Sequence, residues 1–342
     1  LKPRCQCHFC WWPALRAPAM WAARPATFRC VGRGLAQNRA ASFGTHATLA
    51  AALQAAAASN PNKLALVAPQ QTIEWTYADL SNRVGHLAGY LAQQGYRKGD
   101  VIATDLPSCA ENILLQLSAS HLGAGVLAVK SESDLAKLRP ELRVRGAAFL
   151  DGNSFLSSGD FEFVKLSASP ADGAQTIIDV YGKGHDIPQL SEEAEAALGF
   201  YSSTKPVTNA DAMTVGSAAR DKLAMNGDDV VLVSITLNHL FGIGSGVCST
   251  LLSGATLVLP DASGVVGCGS PSQRAQATVD CLGQLKCTLM FADTHTLKAL
   301  PPMQPGRLPA LRGGIVKIGS GTTFLENTAE YAGVTLTTMG KA

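Results

Sequence analysis

The chain has 342 residues, of which 46% are hydrophobic and 16% charged. At roughly 150 residues per domain that is enough for about two domains, and the apolar share excludes intrinsic disorder over most of the length. The formal net charge of +2 is a sum of opposites: of the 28 basic and 26 acidic residues, eight basic ones precede Glu74, the first acid, so residues 1–73 carry +8 and the rest −6. The acidic body carries no nucleic-acid recognition motif, and no nucleic-acid partner is expected.

Residues 1–46 form a basic arm punctuated by Pro and Gly. An acid-free, Arg-rich and Ala-rich leader has the composition of a mitochondrial or chloroplast transit segment. Trp11, Trp12 and Trp21, with Arg16 and Arg24, make it a candidate interaction arm. An isolated arm has no core for indole rings, so a partner protein or a membrane surface is expected to host them. Nine scattered cysteines argue against a secreted disulfide framework. The cluster Cys5, Cys7, His8 and Cys10 departs from the paired spacing of structural zinc sites, so no metal centre is expected.

Thr48 precedes Leu49, Ala50, Leu53 and Ala57 at helical spacing, ending at Ser59-Asn60-Pro61. Lys63–Ala68 reads as a buried strand and Thr72–Trp75 as its hairpin partner. Thr76, with Asp79 three residues on, predicts a capped helix whose apolar face is Leu80, Val84, Leu87, Ala88 and Leu91. Gly95 stops it, and Lys98-Gly99-Asp100 turns into the strand Val101–Leu106. A helix over about 110–122 leads to the strand Val126–Val129. Alternation around Ala147–Leu150, Phe161–Leu166 and Thr176–Val180 suggests strands, and Glu192–Leu198 a short helix.

The longest charge-free stretch, Val230–Pro260, would allow a membrane span by length alone. It carries Asn238, His239 and four interior glycines, and reads better as strand Asp229–Thr236, helix Gly242–Leu252 and strand Ala255–Leu259. A helix over 272–285, strands Thr288–Phe291 and 314–318, a helix over 324–331 and a strand over 333–337 complete the pattern. Strands alternating with helices imply an α/β fold, two layered subdomains with mostly parallel sheets, divided here as 47–200 and 201–342.

Several pieces in order carry a family resemblance. They are Trp75-Thr76-Tyr77-Ala78-Asp79-Leu80, then Lys98-Gly99-Asp100-Val101, then Leu106-Pro107-Ser108-Cys109 with Glu111. Gly123-Ala124-Gly125, Leu237-Asn238-His239-Leu240-Phe241-Gly242 and Leu252-Ser253-Gly254-Ala255 follow. Together they resemble the large N-terminal domain of the adenylate-forming superfamily, which includes acyl-CoA synthetases and luciferase. The resemblance implies that fold without the small C-terminal domain. It also implies activation of a carboxylic acid by ATP, with a glycine-rich loop for phosphates, a glutamate for Mg²⁺ and a mobile lysine.

The residues depart from that pattern. Tyr201-Ser202-Ser203 leads directly into Thr204-Lys205-Pro206, a phosphate loop stripped of its glycines. Thr338-Met339-Gly340 puts Lys341 where the resemblance implies the magnesium-ligating glutamate, and a cation there repels the metal. Gly319, Ser320 and Gly321 resemble the adenine-side loop, and His239 a position near the acyl pocket, together a vestigial pocket. The expectation is a pseudoenzyme with no catalytic residues and no cofactor. By analogy with other retired enzymes, it would be an accessory subunit of a mitochondrial inner-membrane assembly, ATP-synthase-associated or respiratory, joined to its other subunits by the arm. The alternatives are an adenylate-forming acyl-CoA-synthetase-like enzyme and an acyl- or nucleotide-binding module.

Overall fold

The computed structural model describes residues 46–181, 184–201, 203–260 and 271–341. The arm residues Trp11, Trp12, Arg16, Trp21 and Arg24, and the cysteine cluster, lie outside them. Among the described residues no helix is long and apolar enough to cross a membrane.

The first helix, α1 (Leu49–Ser59), is capped by Thr48, whose hydroxyl accepts the Ala51 N–H. β1 (Leu64–Ala68) and β2 (Ile73–Thr76) form an antiparallel pair. α2 (Tyr77–Gln93) opens as the sequence predicts: Thr76 Oγ1 accepts from Asp79 N and the Asp79 carboxylate accepts from Thr76 N. Two donors that a helix start leaves without partners are thereby satisfied. β3 (Val101–Thr104), α3 (Ala110–Leu122) and β4 (Gly125–Ala128) come next. α4 (Glu132–Leu138), β5 (Val144–Phe149), β6 (Lys165–Ser167) and β7 (Ala174–Thr176) follow. β8 (Ala197–Tyr201), β9 (Val207–Thr208), α5 (Asn209–Lys222) and β10 (Val230–Ser234) lead into the charge-free stretch. There Phe241–Cys248 is a π-helix that continues as α6 (Ser249–Ser253), before β11 (Thr256–Val258). The last elements are α7 (Pro271–Gln284), β12 (Leu289–Asp293), α8 (Thr294–Ala299), β13 (Gly313–Ile318), β14 (Thr323–Tyr331) and β15 (Val334–Gly340).

The strands form two sheets, eight strands in the order β14-β15-β13-β12-β10-β11-β1-β2 and seven in the order β7-β6-β5-β3-β4-β8-β9. Pairing is parallel except for β1–β2, β14–β15 and β8–β9 at the edges. This is the mostly parallel α/β architecture expected. The divide drawn at 200/201 falls inside β8, and β1–β2 pair into the sheet otherwise built from residues 230–340.

Several local expectations are corrected. Glu192–Leu198 is not a helix; its tail enters β8. The expected strands Phe161–Leu166 and Thr176–Val180 shrink to β6 and to β7 with a 3-10 turn over Ile178–Val180. The helix expected over 324–331 is the strand β14. Its hairpin with β15 closes through Ala332-Gly333, with φ of 52° and 80°, facing Tyr331 against Val334. Two successive positive φ values make a type I′ turn, whose twist matches antiparallel strands.

A central apolar cluster joins the two sheets through α1, α2, α3, α5 and the π-helix, with Leu53, Leu87, Leu115, Phe241 and Phe291 all within it. α7 and α8 cover the outer face of the eight-stranded sheet, and α4 that of the seven-stranded one. α3 is buried on every side, which explains why its sequence lacks a one-sided apolar stripe.

Packing of β13 on β12 makes a local prediction. A Cβ on Gly314 would lie 2.1 Å from the Met290 carbonyl oxygen, whereas one on Gly313 would meet nothing nearer than a Leu289 methyl at 3.7 Å. Backbone cannot yield as a side-chain tip does, so Gly314→Ala is expected to destabilise by about 1–3 kcal/mol. Gly313→Ala is expected to be close to neutral; urea unfolding of the two variants checks the contrast.

Candidate functional site

In open α/β sheets, ligands bind beyond the carboxyl ends of the parallel strands. In the eight-stranded sheet these ends include Ser234, Asp293, Ile318 and Gly340. The chain leaves β10 through Ile235–Leu240 and enters the π-helix there. π-helical turns concentrate at functional positions.

This exit loop is held from below by buried amides. Asn112 of α3 donates through Nδ2 to Pro107 O at 2.7 Å and to Asn238 Oδ1 at 3.1 Å. Asn238 in turn donates to Leu106 O at 3.1 Å, and Ser108 Oγ donates to Ile235 O at 3.1 Å. The neighbouring His239 therefore stands on an immobilised loop. Its Nδ1 accepts the Gly242 N–H at 3.1 Å, which assigns the proton of the neutral ring to Nε2. Burial, reinforced by the positive charge of Lys317 and opposed by Asp293, pushes the His239 pKa down to about 4.

Lys317 of β13 completes the group. Its ammonium lies 5.4 Å from the Phe241 ring centroid, within cation–π range, and donates to Gly321 O at 2.9 Å. Burial lowers its pKa. Asp293, at the end of β12, caps α8 by accepting Thr296 N at 2.6 Å and faces the buried Arg274 at 3.8 Å. The sequence singled out His239 and the turn Gly319-Ser320-Gly321, and the structure brings both to the same strand ends. Lys317, Phe241 and Asp293 were missed as site residues. For Lys317 there was a signal: it is the single charge between Arg312 and Glu326, in an otherwise apolar strand.

The expected phosphate loop belongs to the seven-stranded sheet. β8 and β9 pair as a hairpin, Gly199 opposite Val207, and residues 203–206 belong to its tip. Ser202 lies outside the described residues. Ser203 and Lys205 are exposed, and Lys205 N donates to Ser203 Oγ at 3.0 Å. That bond spends a backbone N–H on the loop itself, one that a phosphate nest would aim outward. The Tyr201 hydroxyl is shielded and lacks a hydrogen-bond partner among the described residues, and burial raises its pKa. Lys341 is exposed just past β15. No group of three His, Cys, Asp or Glu able to hold a metal occurs among the described residues, and the ammonium of Lys341 is not a magnesium ligand.

Comparison with known proteins bears on this geometry. Residues 53–169 match the model of the AMP-binding enzyme family. The probable non-canonical nonribosomal peptide synthetase CymA of Salinispora arenicola is 25% identical over 79% of this chain, covering 3% of its own length. The 4-coumarate–CoA ligase of Pinus taeda is 23% identical over 56% of this chain and 40% of its own. The chain thus spans well under half the length of these relatives. A benzoate–CoA ligase from Burkholderia xenovorans superposes with a TM-score of 0.66 at 17% identity, over 80% of this chain and 56% of that one. These findings overturn the expected accessory subunit of a mitochondrial membrane assembly, whether ATP-synthase-associated or respiratory: the likeness is to a peptide synthetase and to CoA ligases.

One prediction follows from the neutral His239. The folded pKa of about 4 lies below the ordinary 6.5, so the unfolded chain binds more protons between these values and stability rises with pH there. The contribution is whole above about pH 6.5 and lost as pH falls toward 4. His121, lowered by burial against its bond to Pro188 O, acts in the same direction. His239→Gln is expected to flatten the pH 4–6.5 slope of unfolding free energy, followed by urea titration at stepped pH.

Proposed function

We propose that this chain, with its AMP-binding region and the large-domain fold of adenylate-forming acyl-CoA ligases, binds a carboxylic acid at the strand ends of the eight-stranded sheet without adenylating it. The observation that carries the reading is the convergence of His239, Phe241 and Lys317 at the position where such folds hold ligands. The neutral imidazole offers a donor at Nε2 and the ammonium a countercharge for an anion, both set against the buried Phe241 ring. Each is fixed by packing or a hydrogen bond, which reduces the ordering cost of binding.

Turnover needs more. An adenylating site must neutralise and orient a triphosphate, and fixed electrostatic stabilisation supplies most of such a rate. The hairpin tip at 203–206 directs little backbone toward a phosphate, and Lys341 offers no ligand to a metal. These two features support reading the chain as a pseudoenzyme that keeps acid binding.

Calorimetry with a panel of short and aromatic carboxylic acids is expected to show binding with a Kd of about 1 mM or tighter. Acid-dependent exchange of pyrophosphate into ATP is expected to stay at the level without enzyme. Exchange above that level would refute the loss of catalysis, and no heat with any acid would refute acid binding.

We further propose, on composition alone, that residues 1–46 carry a mitochondrial address. A fusion of these residues to a fluorescent protein is expected to reach mitochondria, and a diffuse cytosolic signal would refute it.

A further inference from the structure

Asn226 and Gly227 are the one Asn-Gly pair in the sequence. They lie in the turn between α5 and β10, which closes where Asp229 N donates to Asn226 O at 3.2 Å. Asn226 is exposed and Gly227 half-buried. The Asn226 side chain is folded back along its own turn, its Oδ1 accepting the Asp228 N–H at 2.8 Å. Such an Asx turn keeps the side-chain amide beside the backbone that follows it.

We infer that Asn226 is a site of spontaneous deamidation, promoted by the turn that holds it. The Gly227 nitrogen attacks Asn226 Cγ and forms a new C–N bond. The side-chain nitrogen leaves as ammonia, taking the Gly227 amide proton. Solvent water then opens the resulting succinimide at either carbonyl, giving aspartate or isoaspartate, so the net change is one water gained and one ammonia lost. Two donors stand where this reaction develops charge. Attack makes Oδ1 an oxyanion, and the Asp228 N–H is already bonded to it. Loss of the Gly227 proton charges the Asn226–Gly227 peptide, whose oxygen already accepts the Asp229 N–H. Donors fixed in advance at developing charge lower a barrier, and glycine sets no side chain in the path of attack.

The consequence follows from what the turn fastens. The Asp229 carboxylate accepts from Asn226 N at 2.9 Å, from Arg312 Nε at 2.9 Å and Nη2 at 2.7 Å, and from Thr288 Oγ1 at 2.7 Å. Arg312 carries the tie on to Leu223 O at 2.9 Å and Ala224 O at 3.3 Å, at the end of α5. On the other side, Lys63 Nζ donates to Gly227 O. Isoaspartate inserts an extra carbon into the main chain between residues 226 and 227, both of which are tied. The modification therefore loosens the junction of α5 with the entries to β10 and β13. It is a slow covalent change in stability, independent of acid binding.

Ageing the full chain at physiological pH and temperature tests this, with peptide mass spectrometry and isoaspartyl methyltransferase labelling as readouts. The peptide containing Asn226 is expected to gain the mass difference between amide and acid, at least as fast as a synthetic peptide spanning residues 221–231. A Cβ at Gly227 would meet nothing nearer than Lys63 Nζ at 3.5 Å, so Gly227→Ala is expected to fold. Its added methyl group should slow conversion about tenfold or more by raising the barrier to ring closure. Aged wild type is expected to melt below fresh protein by circular dichroism, and aged Gly227→Ala to keep its melting temperature. Conversion slower in the folded chain than in the peptide overturns promotion by the turn. Conversion undiminished in Gly227→Ala overturns Asn226 as the site. An unchanged melt of wild type that carries the label overturns the loss of stability.

Discussion

The joining of the two sheets depends on how the buried start of α1 is satisfied. A helix N-terminus presents N–H groups with no partner in the helix, and burying them bare would cost several kcal/mol. Here Leu49 N donates to Asn209 Oδ1 at 3.1 Å, and Ala50 N to Ser120 Oγ at 3.3 Å. Ser120 Oγ itself donates to Asn209 Oδ1 at 2.7 Å, and Asn209 Nδ2 to Ala196 O at 3.3 Å. One asparagine thus ties α1, α3, α5 and the segment entering β8. The central apolar cluster is assembled around this polar knot. The exit loop of β10 reaches its position because α3, fixed by Ser120 at one end, offers Asn112 toward the other.

The legible parts of the sequence were those in which local chemistry and tertiary environment agree. Thr76 with Asp79 announced α2, and apolar runs announced the parallel strands. α5 carried an equally clear mark, Thr208 with Asp211, and the box is formed in the structure. It went unread because the helix behind it, with Gly216 and scattered polar residues, has little apolar periodicity. Its burial is supplied by the π-helix lying against it. The β14 strand was misread for the opposite reason: Phe324, Leu325 and Ala329 suit a helix as well as a strand, and the deciding element was a turn without the usual Asn-Gly or Asp-Gly pair.

The candidate site was half legible. Motif resemblance located His239 and the glycine turn, because those lie on segments where backbone geometry constrains the residue type. Lys317 belongs to no motif. Its place beside the Phe241 ring and opposite Asp293 exists only once the strands are in register. The short hairpin tip at 203–206 carries no glycine in the sequence. Its closure onto itself through Ser203 and Lys205 is a three-dimensional fact.

The β14–β15 hairpin also dictates an order of assembly. β14 follows β13 in the chain yet pairs only with β15, while β15 sits between them. β14 therefore has no partner until residues 334–340 have been placed, and β13 must leave its edge open meanwhile. A two-residue turn closes fast and locally, whereas the β13–β15 pairing spans a longer loop. The hairpin should form first as a unit and then slide its second strand against β13. The final step of building the candidate site, the seating of Gly340 beside Ile318, is thus the docking of a preformed piece.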